Sequence, residues 1–126
     1  MDGRSKDKTI YMCRRTHKAA PVPRGGSKPI ADGAGGWLAY ALGDVLFLKI
    51  FPVVLPDSFA PKEGDIEIYL GNDYLELEVQ GAHTRLTNGT SIPWTVRWRA
   101  VAIPSTVSVT AGSATLLAFA RQPAAM

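Results

Sequence analysis

The chain has one cysteine, Cys13, and two histidines, His17 and His83. A lone thiol cannot close an internal disulfide, and no ligand spacing joins the histidines to it, which argues against a disulfide scaffold and against a metal centre. No apolar run approaches the roughly 20 residues that cross a bilayer, so no membrane partner is expected. The opening stretch "MDGRSKDKTIYMCRRTHK" is basic and lacks the apolar core and small-residue cleavage site of a secretory signal. The glycines of "GAGG" precede no helical pattern, so they make no phosphate-binding loop, and no nucleophile-elbow motif is found. These absences together predict a cytoplasmic protein with no metal and no cofactor. Asn88-Gly89-Thr90 matches a glycosylation sequon, and in that compartment it reads as a turn.

What is present suffices for one domain. The 126 residues, 46% of them apolar, can bury a core of their own. The net charge of +3 is unevenly spread: residues 1–28 hold eight Lys/Arg and two Asp/Glu, residues 29–126 six and nine. A basic arm can meet nucleic-acid phosphates, but the plainer reading is a solvated tail, so no nucleic-acid partner is assigned. Residues 1–36 carry few large apolar side chains and include "PVPRGGSKP" and "DGAGG". They read as a Gly/Pro-rich leader, partly disordered or with one short strand at "KTIYM".

From Trp37 to the end, 37–126, strand patterns dominate. "GWLAYAL" and "VLFLKIF" meet at Gly43-Asp44, a pair suited to a two-residue hairpin that sets Tyr40 opposite Phe47 and Leu38 opposite Lys49. Both faces of this hairpin are apolar, as in strands covered on both sides. "DIEIYL" and "YLELEVQ" form a second hairpin around Gly71-Asn72-Asp73. Its apolar face is Ile66, Ile68, Leu70, Leu75, Leu77 and Val79; its polar face is Asp65, Glu67, Tyr69, Tyr74, Glu76 and Glu78.

Downstream, Asn88-Gly89 marks a turn before an alternating strand with Ile92, Trp94, Val96 and Trp98 inward and Thr95, Arg97 and Arg99 outward. "TVSVTAG" and "ATLLAFARQ" supply the last strands; "GSATLLAFAR" is the only helix candidate, and it too reads as strand. The aromatics Trp37, Phe47, Trp94 and Trp98 read as core. Turn signals every 8–12 residues indicate an all-β fold, an antiparallel β-sandwich or barrel.

Glu67 should face Glu76 or Glu78 across the second hairpin, and unpaired like charges there cost energy. Two remedies stand open. Lys49, Arg97 and Arg99 can pair with the carboxylates in a solvated ladder. Alternatively the face is a sugar or cation site, where carboxylates accept hydroxyl hydrogen bonds and an aromatic ring such as Tyr69 stacks on a pyranose.

The ordered series "GWLAY…LFLKIFP…EGDIEIYLGNDYLELEVQGAHTRLTNGTSIPWTVRW" resembles the C-terminal half of galactose mutarotase-like proteins of the aldose 1-epimerase superfamily, over roughly residues 36–103. Leu77-Glu78-Val79-Gln80 is similar to the family's "L-E-T-Q" strand, and Leu86-Thr87-Asn88-Gly89 to its "L-x-P-G" turn. The resemblance implies half of a super-sandwich, with Glu78 matching the general base that takes the anomeric proton. Lys49, Glu67 and Glu76 would line the site by face rather than by motif, and Lys49 or Arg97 would orient an acidic group. The family's histidines lie in an N-terminal half this sequence does not contain, which favours binding over turnover. A lone half would also leave sheet edges and an apolar face open, and a homodimer or higher oligomer is expected to cover them. The sequence thus predicts a carbohydrate-binding or oligomeric interaction module. The alternative is an epimerase using Glu78 as base with an acid from a partner subunit.

Overall fold

The computed structural model describes residues 28–71 and 74–126. The short strand expected at "KTIYM" lies outside them, as do Cys13 and His17. The described chain forms two antiparallel three-stranded sheets and one helix. An outer sheet is built from β1 (Ile30–Ala31), β4 (Ile66–Leu70) and β5 (Leu75–Val79), in the order β1-β4-β5. A central sheet is built from β2 (Trp37–Leu42), β3 (Val45–Ile50) and β6 (Arg97–Ala102), in the order β2-β3-β6. The helix α1 spans Ala114–Ala124, and a single 3-10 turn occupies Pro56–Ser58. This is the β-sandwich-like, strand-dominated domain that the alternation predicts.

Both hairpins form where expected, the first in the expected register. In the first, Tyr40 pairs with Phe47 and Leu38 with Lys49. Gly43 turns the chain at φ +60°, a conformation that costs glycine little. In the second, Ile66 faces Val79, Ile68 faces Leu77 and Leu70 faces Leu75, so the aliphatic side chains share one surface. That surface packs on Leu38 and Phe51 of the other hairpin, with Val96 at its margin.

The opposite face of the central sheet carries Trp37, Ala39, Ala41, Leu46, Leu48 and Ile50. It is covered by Leu116 and Ala120 of α1 together with Ile103. The two apolar sides of "GWLAYAL/VLFLKIF" are therefore both engaged, one by the helix and the other in part by the outer sheet, with Leu42 and Val45 left exposed. The molecule has three layers, and its central strands belong to two cores at once.

Three sequence expectations are corrected. "GSATLLAFAR" is helical rather than a strand. Ser113 caps α1 by accepting the Leu116 N–H, and the buried Leu116, Ala120 and Pro123 recur at helical spacing. "TVSVTAG" is a run of turns and bends, not a strand. Ile92, Trp94 and Trp98 do not point into the core: all three are exposed, and only Val96 of that series joins a buried cluster. The strand begins at Arg97, in β6, whose outer side pairs with no strand among the described residues. Phe47 is half-buried beside it, while Trp37 is buried as expected.

Candidate functional site

The outer face of the outer sheet gathers Glu67 and Tyr69 from β4 with Glu76 and Glu78 from β5. Glu67 sits directly across from Glu78, and Tyr69 across from Glu76. Tyr74, one residue before β5, adds a second ring: its centroid lies 5.5 Å from that of Tyr69, with the planes tilted by 37°. Tyr69 beside it raises the Tyr74 hydroxyl pKa above the ordinary phenol range. Glu76 is exposed and Glu78 half-buried. The strip thus offers two adjacent, mutually tilted phenol rings flanked by acceptor oxygens.

The charge balance on this face differs from the expected ladder. Glu67 is buried, and its cation is Lys28, whose ammonium donates to Glu67 Oε1. The hydrogen bond to Glu67 is the largest cause holding the Lys28 pKa above its usual value, with further attraction from Glu78 and Glu63. A residue of the basic leader, 39 positions upstream, thereby relieves the like-charge opposition of Glu67 and Glu78. Lys49, Arg97 and Arg99 do not. Lys49 points between the sheets and donates to the Leu77 carbonyl. Its ammonium lies 5.1 Å from the Trp98 ring centroid, a cation–π contact. Burial pushes its pKa down, partly offset by the charge of Glu78. Arg97 is exposed and pairs with Ile50, which places it on the helix-side face of the central sheet. Arg99, also on that side, donates to the Pro123 carbonyl at 3.0 Å and tethers α1.

Of the residues singled out from the sequence, the fold brings together Glu67, Tyr69, Glu76 and Glu78, and sets Lys49 and Arg97 elsewhere. Lys28 was read as part of a solvated tail, and nothing in its local sequence points to a partner so distant in the chain. Asp65 was read as solvent-facing; it is fully buried, with Oδ1 accepting the Gly33 N–H at 2.5 Å and Oδ2 without a partner. His83 is exposed, and its backbone N–H donates to the Ser58 carbonyl at 2.8 Å. Among the described residues, no cluster of three or more His, Cys, Asp or Glu side chains is arranged to hold a metal ion. No helix among them is long and apolar enough to cross a membrane.

Comparison with protein-family models, with curated proteins and with solved structures finds no match to this chain.

Proposed function

We propose that the chain is a binding module for a neutral carbohydrate, held across the outer face of the outer sheet. The observation that carries this reading is the Tyr69–Tyr74 pair, with Glu76 directly across from Tyr69. A pyranose has an apolar face that stacks on an aromatic ring and a rim of hydroxyls that donate to carboxylates. Glu76 and Glu78 would accept those hydroxyls. The resemblance of the Leu77-Glu78-Val79-Gln80 strand to mutarotase-like sequences supports sugar as the ligand class. With Lys49 and Arg97 directed away and Lys28 engaged by Glu67, none of the cations singled out among the described residues is free on this face to receive an acidic sugar. Neutral sugars therefore fit better than uronic or sialic acids.

Binding is preferred to turnover because a base alone gives only part of an anomerisation rate. Each proton-transfer partner contributes on the order of 10²–10⁴-fold, and His83 lies outside the motif context of the family's histidines. Calorimetric titration with neutral and acidic mono- and oligosaccharides tests the reading. Saturable heat with a neutral sugar is expected, weakened about tenfold or more in Tyr74→Ala and less in Glu76→Gln. Silence across the neutral panel, or binding that Tyr74→Ala leaves intact, would overturn it.

A further inference from the structure

The central sheet ends at β6, and no strand among the described residues pairs with its outer edge. In an antiparallel ladder every second N–H and C=O of such a strand points away from its neighbour, ready to pair with another chain. Beside this edge lies the open part of the central sheet. Trp98 there is 66% exposed, edge-on to Phe47 at 5.7 Å, with Leu42 and Val45 also exposed. The outer sheet and α1 cover other parts of this sheet, whose exposed large apolar side chains among the described residues are Leu42, Val45 and Trp98.

We propose that β6 pairs antiparallel with β6 of a second copy about a two-fold axis at Ala100, joining two central sheets into one of six strands. The occupant follows from the self-complementarity of the strand. Trp98, Ala100 and Ala102 share the open face, and Arg97, Arg99 and Val101 the helix-side face. A two-fold axis normal to the sheet keeps like faces together, so only residues of matching parity can oppose one another. Centring on Arg99 would set two guanidinium groups against each other. Centring on Val101 would set Trp98 against the partner's Pro104, which has no N–H to donate. Centring on Ala100 avoids both. Ala100 meets itself, Arg99 meets the partner's Val101, and Trp98 meets the partner's Ala102.

Size complementarity points the same way. The small Ala102 leaves room for the indole, and Ala102 is paired within its own sheet to Val45. Trp98 of each copy then lies over the partner's Ala102 and Val45, which takes its exposed ring out of water. A desolvated tryptophan set against small residues is the usual energetic centre of an interface. This surface is separate from the tyrosine strip, so the sugar titration and the association state are read independently.

Light scattering of the full chain after size exclusion tests the arrangement at concentrations of roughly 10–100 µM. A mass twice the 13.6 kDa of the chain is expected. Ala100→Glu and Ala100→Lys each place like charges across the axis and should give monomers. An equimolar mixture of the two should return to the dimer mass with one copy of each, because residue 100 faces itself. Ala100 is exposed, so both variants should keep the parent circular dichroism. Should either fail to fold, Trp98→Ala decides, with an expected tenfold or greater rise in the dissociation constant. A monomeric parent chain, single variants that stay dimeric, a mixture that stays monomeric, or an unchanged constant in Trp98→Ala would each overturn the proposal.

Discussion

Asp65 is fully buried, yet only one of its carboxylate oxygens has a partner. Burial raises its pKa above the ordinary carboxylate range, against the opposing hydrogen bonds from the N–H groups of Gly33 and of Asp65 itself; the charge of Asp32 raises it further. The folded state therefore holds this proton more tightly than the unfolded chain does. Stability should be lost as pH rises from the unfolded pKa through the raised folded one, and the deficit should stay constant above it. Asp65→Asn keeps the acceptor for Gly33 and removes the titration. Urea unfolding between pH 3 and 8 should show a declining stability in the parent that is absent in the variant. An identical slope in both would assign the effect to other groups. Asp65→Ala, which strands the Gly33 N–H, should cost about 1–3 kcal/mol at neutral pH.

The reason Asp65 was misread lies in its neighbours. Alternation puts it in line with Glu67 and Tyr69, but alternation reports direction and not cover. Cover comes from the loop at 32–36, and glycines make that close approach possible. A Cβ on Gly64 would meet the Ala31 carbonyl, and one on Gly33 would lie 2.7 Å from Ile66 Cδ1. Gly64→Ala should accordingly destabilise the fold by roughly 1–3 kcal/mol through forced displacement of β1, read as a lower denaturation midpoint.

At the scale of the element, the first hairpin was legible to its pairing, and the second in its two faces but not in whether Glu67 meets Glu76 or Glu78. Gly43-Asp44 fixes one turn, and a period-two pattern fixes the faces on both. The helix was not legible. "ATLLAFARQ" is short, apolar nearly throughout and compatible with either period, and Pro123 near its end argues against an extended helix. Two signals favoured the helix: the alanine content and Ser113 three residues before Leu116. The candidate site divides in the same way. Local alternation was enough to unite Glu67, Tyr69, Glu76 and Glu78, whereas the Lys28–Glu67 pair and the exposure of Trp98 depend on tertiary contacts that no local pattern encodes.

The helix itself should respond in a graded manner. Ser113→Ala removes the cap and should cost about 0.5–2 kcal/mol. Leu116→Ala opens a cavity against the central sheet and should cost about 2–5 kcal/mol. Thermal unfolding followed by circular dichroism separates the two. A Leu116 variant no weaker than the Ser113 variant would mean that α1 contributes little to the core.

For the molecule as a whole, the central sheet couples the layers. β2 alone sends Trp37, Ala39 and Ala41 into the helix-side core and Leu38 into the core beneath the outer sheet. Neither cluster can lose its packing without disturbing a strand that the other requires. Such sharing predicts one cooperative transition rather than separate melting of the two sheets. Leu48→Ala weakens the helix-side cluster and Ile68→Ala the opposite one, each by about 2–5 kcal/mol. Trp94 lies against Gly81 beside β5, so in a Trp94→Phe background fluorescence follows the central sheet through Trp37 and Trp98, while far-ultraviolet dichroism follows all elements. In both variants the two signals should shift together to a single lower midpoint. If Ile68→Ala splits them, with the dichroism moving and the fluorescence unchanged, the outer sheet folds as an independent unit, and the tyrosine strip it carries would rest on a separable scaffold.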